Sequence, residues 1–236
     1  AFKVPDDSEV DDDNLLLLSD AGTTAYWSVD NSGMKEGDTV VILGAGPVGL
    51  LAQKFAWLKG AKRVIAVDYV GYRLEHAKRT NNVEIINFED HENVGSHLHE
   101  ITKGGADVVI DCVGMDGKMR DLEFLATGLR LHGGSMGALV IASQAVRKGG
   151  NIQVTGAYAA RYNAFPLGDI FQRNVNLRTG QAPVIHYMPH LYKLIADGKV
   201  DLSDIITHPL PLEEAAYGYE IFDAKLDNCI KVVLKP

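Results

Sequence analysis

The stretch from Thr39 to Asp68, TVVILGAGPVGLLAQKFAWLKGAKRVIAVD, constrains the fold more than any other part of the chain. It joins a short apolar strand, a glycine turn, a helix and a second strand ending in an acid. Gly44, Gly46 and Gly49 form G-x-G-x-x-G. In this pattern the first glycine permits the tight turn, the second lets the backbone approach a pyrophosphate, and the third lets helix and strand pack closely. The helix that follows, from Pro47 and Val48 to Lys59, opens with free N–H groups and the positive end of its dipole, where a diphosphate is stabilised. Asp68, 24 residues after Gly44, stands where a carboxylate can take the two hydroxyls of an adenine ribose. The rival readings are a purely structural turn and a methyltransferase holding S-adenosylmethionine with a similar turn and acid. The third glycine and the aliphatic helix favour the dinucleotide.

Charge at the ribose then separates NAD from NADP. A 2′-phosphate beside Asp68 would be repelled, and Tyr69 and Val70 offer no cation to offset that, so NAD is expected. Arg73 has two readings: a solvated residue on a helix from Gly71 to Arg79, or a cation lying along the adenosine edge.

Strand-like runs at Val40–Leu43, Val64–Val67, Val83–Ile86, Val108–Asp111 and Ile152–Thr155 alternate with helical patterns near Val48–Lys59, Gly71–Arg79, Val94–Thr102 and Met136–Arg147. This alternation predicts an α/β fold, a doubly wound parallel sheet with a sixth, edge strand near Val175–Arg178. The right-handed crossover rule puts a cofactor crevice at the carboxyl ends of the strands, where Gly44, Asp68, Gly114 and Gly156 fall.

At 236 residues and 46% apolar composition, the chain can bury one large core or one and a half domains. A net charge of −8 argues against a nucleic-acid or anionic-membrane partner. No run approaches the ~20 apolar residues that span a bilayer, and the acidic opening AFKVPDDSEVDDD lacks the character of a signal peptide, so a cytoplasmic protein is expected. The acids from Asp6 to Asp13 read as a solvated linker. Cys112 and Cys229 are too few and too far apart for a disulfide framework and read as packed thiols.

One connection breaks the spacing. Between Gly114 and Lys148 the middle segment, LEFLATGLRLHGGSMG, exceeds one crossover helix by about ten residues. It is either a surface excursion or a lid, over Leu122–Gly137, that folds across the cofactor; His132 within it reads as solvated.

The segments SDAGTTAYWSV, GDTVVILGAGPVGL, VDYVGYR, DCVG, GGNIQVTGAY, RTGQAPV and IKVVLKP resemble the zinc-containing medium-chain alcohol dehydrogenases. More narrowly they are similar to the glutathione-independent formaldehyde dehydrogenase and dismutase branch, through the aspartate of S-D-x-x-x-T, the long insertion, and TGQAPV at Thr179–Val184. The resemblance implies a Rossmann NAD-binding domain over 22–177, preceded by a remnant of a catalytic domain and linker (1–21) and followed by a C-terminal segment of a GroES-like catalytic domain (178–236). Relatives begin with a further domain carrying C-G-x-D and G-H-E motifs and a four-cysteine zinc lobe. Neither motif occurs here, so the chain is expected to be a fragment or a form that has lost its front.

Residue by residue, the resemblance implies that Asp20 is a catalytic zinc ligand, where a reading without it makes Asp20 a helix cap. Thr24 matches a threonine that packs against the nicotinamide, Val113 an adenine-side contact, and Thr155 and Ala157 residues whose backbones hold the carboxamide. Arg178 and Gln181 match the turn nearest nicotinamide and pyrophosphate. Lys231 matches a basic residue paired with the pyrophosphate, or is an edge-strand cation. The implied chemistry is hydride transfer between a small alcohol or aldehyde hydrate and NAD with zinc as Lewis acid, or dismutation if the cofactor stays bound; the implied assembly is a homo-dimer or homo-tetramer. A non-catalytic NAD-binding module is the alternative.

Overall fold

The computed structural model describes residues 2–114, 136–158 and 165–236. The expected lid therefore lies, up to residue 135 and including His132, outside the described residues. Apolar, largely β-branched runs form β1 (Thr39–Leu43), β2 (Arg63–Asp68) and β4 (Ala106–Asp111), and the more polar β3 (Glu84–Asn87), β5 (Val146–Val154) and β6 (Asn176–Thr179) complete the sheet. Its order is β3-β2-β1-β4-β5-β6, and all five pairings are parallel. This is the expected doubly wound α/β sheet, and its order reverses between β1 and β4, the switch point where such sheets open a crevice.

The helices are α1 (Asp12–Leu17), α2 (Ala21–Asn31), α3 (Pro47–Leu58), α4 (Gly71–Asn81), α5 (Val94–Ile101), α6 (Gly137–Ala145), α7 (Leu167–Gln172), α8 (Val184–Ala196) and α9 (Ala215–Asp223). They cover both faces of the sheet, which is why the central strands are apolar without alternation. Val40 and Ile42 of β1 enter one core with Tyr26, Leu50, Phe55 and Leu191, while Val41 and Leu43 enter a second with Leu98, Leu139 and Ile152. Each such fully buried side chain contributes about 1.5–3 kcal/mol over its exposed state.

Most element ends fall within two residues of the sequence pattern, and the departures that matter are these. β3 begins and ends one residue later than Val83–Ile86. The helix expected up to Arg147 stops at Ala145, because Val146 pairs with Ala106 across a register shift and draws the chain into β5 six residues early. The tail forms β8 (Lys231–Lys235) beside β7 (Ile206–Pro211), also in parallel. The two prolines of β7 hide it from a strand pattern, but in a pair of strands both are edges, where proline is tolerated.

The flanking segments share the core of the sheet. Leu17 and Leu18 at the front and Leu191, Leu194, Leu202 and Ile205 at the back pack in one cluster with α2 and α3. The Tyr72 hydroxyl of α4 donates to the Cys229 carbonyl at 2.9 Å, fastening the chain before β8 to the start of α4. Among the described residues no helix is long and apolar enough to cross a membrane.

Candidate functional site

The site is built on the carboxyl ends of β1, β2, β4 and β5. At the first of these the chain turns through Gly44 at φ +89°, a conformation costly for any side chain, and the Gly44 N–H donates to the Val67 carbonyl at 2.7 Å. Gly49 fixes how closely α3 lies on that turn: a Cβ there would stand 1.9 Å from the Gly44 carbonyl oxygen. Gly46 is different. A Cβ on it would meet only Nη1 of Arg73, at 3.7 Å, so the fold leaves that space open.

The open space is suited to an anion. Gly46 is the N-cap of α3 and Pro47 its first residue, and no side chain caps the helix. Its first N–H groups and dipole are thus available to a ligand. Arg73 faces the same space, and its buried Nε has no hydrogen-bond partner. An orphaned buried donor of this kind costs free energy unless something outside the chain satisfies it.

Asp68 is buried at the end of β2. Its Oδ2 accepts from the Ala45 N–H at 2.6 Å, and its Oδ1 from the N–H groups of Tyr69 and Val70 at 2.7 and 2.9 Å. The acid expected to read a ribose therefore also ties two crevice turns together, and Oδ2, with one donor against the two on Oδ1, keeps acceptor capacity for a hydroxyl.

Beside Gly44 a cleft is lined by Thr24, Val48, Cys112, Val113, Thr155, Gly156 and Ala157. It brings together five of the residues singled out from sequence, drawn from α2, α3 and the loops after β4 and β5. Asp111, fully buried at the end of β4, accepts from the N–H groups of Val113 and Gly114 at 2.8 and 3.2 Å and from the Tyr158 hydroxyl at 2.8 Å. Burial pushes its carboxyl above the usual range against the pull of those hydrogen bonds. Burial, and then the Asp111 charge, push the Cys112 thiol up, so it lines the cleft as a neutral group.

Asp20 occupies the N-cap position of α2, but its side chain does not cap the helix. Its Oδ1 instead accepts from the Thr24 hydroxyl at 3.1 Å, so the two residues adjoin at the cleft edge. Zinc needs three protein ligands with one open position in a catalytic site. Among the described residues no three His, Cys, Asp or Glu side chains come together in that way, so the described residues alone do not fit the metal. Arg178, Gln181 and Lys231 do not line the cleft. The Arg178 guanidinium donates to the Asn31 carbonyl at the end of α2 at 3.0 Å, Gln181 is exposed, and Lys231 opens β8, two residues beyond the Cys229 that Tyr72 holds.

Asp111 and Tyr158 were not singled out as site residues. An acid closing the apolar run ADVVID at a strand's carboxyl end was a readable signal; its partner, 47 residues on, was not.

The family profile described as zinc-binding dehydrogenase matches residues 47–140. A zinc-type alcohol dehydrogenase-like protein of Bacillus subtilis is 72% identical over 235 residues, covering 100% of this chain. The chain belongs to the zinc-binding dehydrogenase family. It spans 62% of that relative's length. A glutathione-independent formaldehyde dehydrogenase of the same organism is 29% identical over 225 residues, which is 89% of this chain and 53% of that protein. Among solved structures, the alcohol dehydrogenase TADH from Thermus sp. ATN1 superposes with a TM-score of 0.82 at 32% identity, over 100% of this chain and 61% of its own.

Proposed function

We propose that this chain is the cofactor-binding portion of a zinc-type alcohol or aldehyde dehydrogenase that uses NAD, with small alcohols or aldehyde hydrates as substrates and formaldehyde as the first to test. One observation carries the reading: an open, uncapped helix start at Gly46, faced by Arg73 with its buried Nε unpartnered, beside a cleft formed by Thr24, Val48, Val113, Thr155 and Ala157. Residues 22–177 form the Rossmann domain of this reading, with 1–21 and 178–236 belonging to a catalytic domain.

NAD supplies the hydride acceptor when bound. The chain's share is binding and orientation. The α3 start and Arg73 hold the pyrophosphate side, Asp68 accepts from the ribose, Thr24 and Val113 shape the walls, and the backbone of Thr155–Ala157 offers hydrogen bonds to the carboxamide. A hydride moves only between closely held atoms, so this fixed geometry is the protein's contribution to rate. Asp20 would give one ligand of a zinc site whose other ligands lie outside the described residues; no step through the metal follows from this chain. The second reading, a non-catalytic NAD-binding module, draws on that same isolated carboxylate.

Calorimetric titration with NADH, NADPH and S-adenosylmethionine tests the proposal. Tightest binding of NADH is expected. Preference for S-adenosylmethionine, or no binding of any of the three by folded protein, would refute it.

A further inference from the structure

Asp111 does not touch the cleft, yet five hydrogen bonds converge on it. Its carboxylate accepts from the N–H groups of Val113 and Gly114 and from the Tyr158 hydroxyl. Its carbonyl accepts from the N–H groups of Thr155 and Gly156, each at 2.9 Å. The loop after β4 and the loop after β5 are thereby fastened to one residue. They also touch backbone to backbone: a Cβ on Gly156 would stand 2.1 Å from the Gly114 nitrogen, and one on Gly114 would stand 2.5 Å from the Ala157 nitrogen.

We infer that Asp111 and Tyr158 form a positioning pair that sets the loop Thr155–Ala157 against the cleft and thereby determines affinity for the nicotinamide half of the cofactor. The inference rests on the cofactor reading above and goes beyond it. Tyr158 packs its ring against the core beneath the sheet's second face, and its hydroxyl donates to Oδ2 of Asp111 at 2.8 Å. The three residues before it, Thr155, Gly156 and Ala157, all line the cleft. Losing that hydroxyl leaves a buried carboxylate oxygen without that donor, and the interlocked loops after β4 and β5 shift together in response. The far end of the cofactor, held at Gly46, Asp68 and Arg73, depends on β1, β2 and α4 and not on this pair.

The test compares two ligands that share the adenosine diphosphate half, NADH and ADP-ribose, titrated calorimetrically onto the 236-residue chain and its variants. In Tyr158→Phe, NADH affinity should fall about tenfold while ADP-ribose affinity stays within about twofold. In Asp111→Asn the amide can still accept from Val113 and Gly114 and can donate to the Tyr158 oxygen, so both ligands should stay within about threefold of wild type. Unchanged NADH affinity in a folded Tyr158→Phe, equal loss of both ligands in it, or a loss of both in Asp111→Asn beyond that range would overturn the inference. Wild type that binds ADP-ribose but not NADH overturns it as well, whereas folded wild type that binds neither overturns the cofactor reading beneath it.

Discussion

The carboxylate of Asp68 lies 2.6 Å from the backbone nitrogen of Ala45, so the acid that ends β2 also holds the turn that ends β1. With Tyr69 and Val70, three backbone donors depend on it. Asp68→Ala should therefore lower folding stability by about 3 kcal/mol, in addition to any loss of ribose binding, because buried donors without an acceptor are penalised. Urea denaturation of wild type and variant measures the first effect. A variant as stable as wild type would show that the three donors find water or other acceptors.

Gly46 and Gly49 should separate fold from binding. A Cβ at Gly49 meets a backbone oxygen, whereas one at Gly46 has room. Gly49→Ala should destabilise by about 3 kcal/mol or more. Gly46→Ala should melt like wild type and yet bind NADH at least about tenfold more weakly, since only a ligand needs that space. Undiminished affinity in Gly46→Ala would move the pyrophosphate elsewhere.

Arg73 should act as the cation of the dinucleotide site. Its replacement by Leu keeps the aliphatic bulk and should weaken NADH binding about tenfold, with a shallower dependence on salt. Titration at two ionic strengths reads both quantities.

Acidification should destabilise the chain below about pH 4.5. Asp11, Glu84, Asp30 and Asp201 are all held below the usual carboxylate range. The Asn14 side chain does this for Asp11 and Arg63 for Glu84; at Asp30 and Asp201 burial pulls the other way and is outweighed, by Lys59 and Tyr187 in one case and by Ser203 and Asn14 in the other. Their folded values lie under their unfolded ones, so the stability they supply is complete above the unfolded value and is lost as pH falls through the folded one. Asp111, raised by burial, opposes the trend as a single group. Melting temperatures from pH 7 to pH 3 should fall, and a flat profile would contradict the sign.

The open edge of the sheet should pair copies of the chain. β6 occupies that edge with all four residues exposed, and Phe171 and Leu167 are 83% and 62% exposed on the helix before it. An edge of this kind is managed by pairing or by cover. Light scattering at micromolar concentration should find a dimer, and Leu177→Pro, which removes a strand donor, should yield monomer; a wild-type monomer would count against the pairing.

The central strands were legible because burial on both faces leaves only apolar residues, and the glycine turn because each glycine answers a local demand. The start of β5 was not legible. Lys148, Gly149 and Gly150 look like a turn, but pairing of Val146 with Ala106 overrides local preference. The Asp20–Thr24 contact sits within one helical turn and could be anticipated from spacing, although its reversal of the cap geometry could not. Arg178 shows the limit most clearly: a basic residue at a strand's carboxyl end can turn to a helix carbonyl instead of a crevice, and only tertiary packing decides.

The interlocked glycines Gly114 and Gly156 have a mechanical consequence. With backbone against backbone and no side chain between, the loops after β4 and β5 cannot slide past one another, so they behave as one rigid jaw. A displacement of either loop is therefore felt by both, from Val113 on one wall of the cleft to Ala157 on the other.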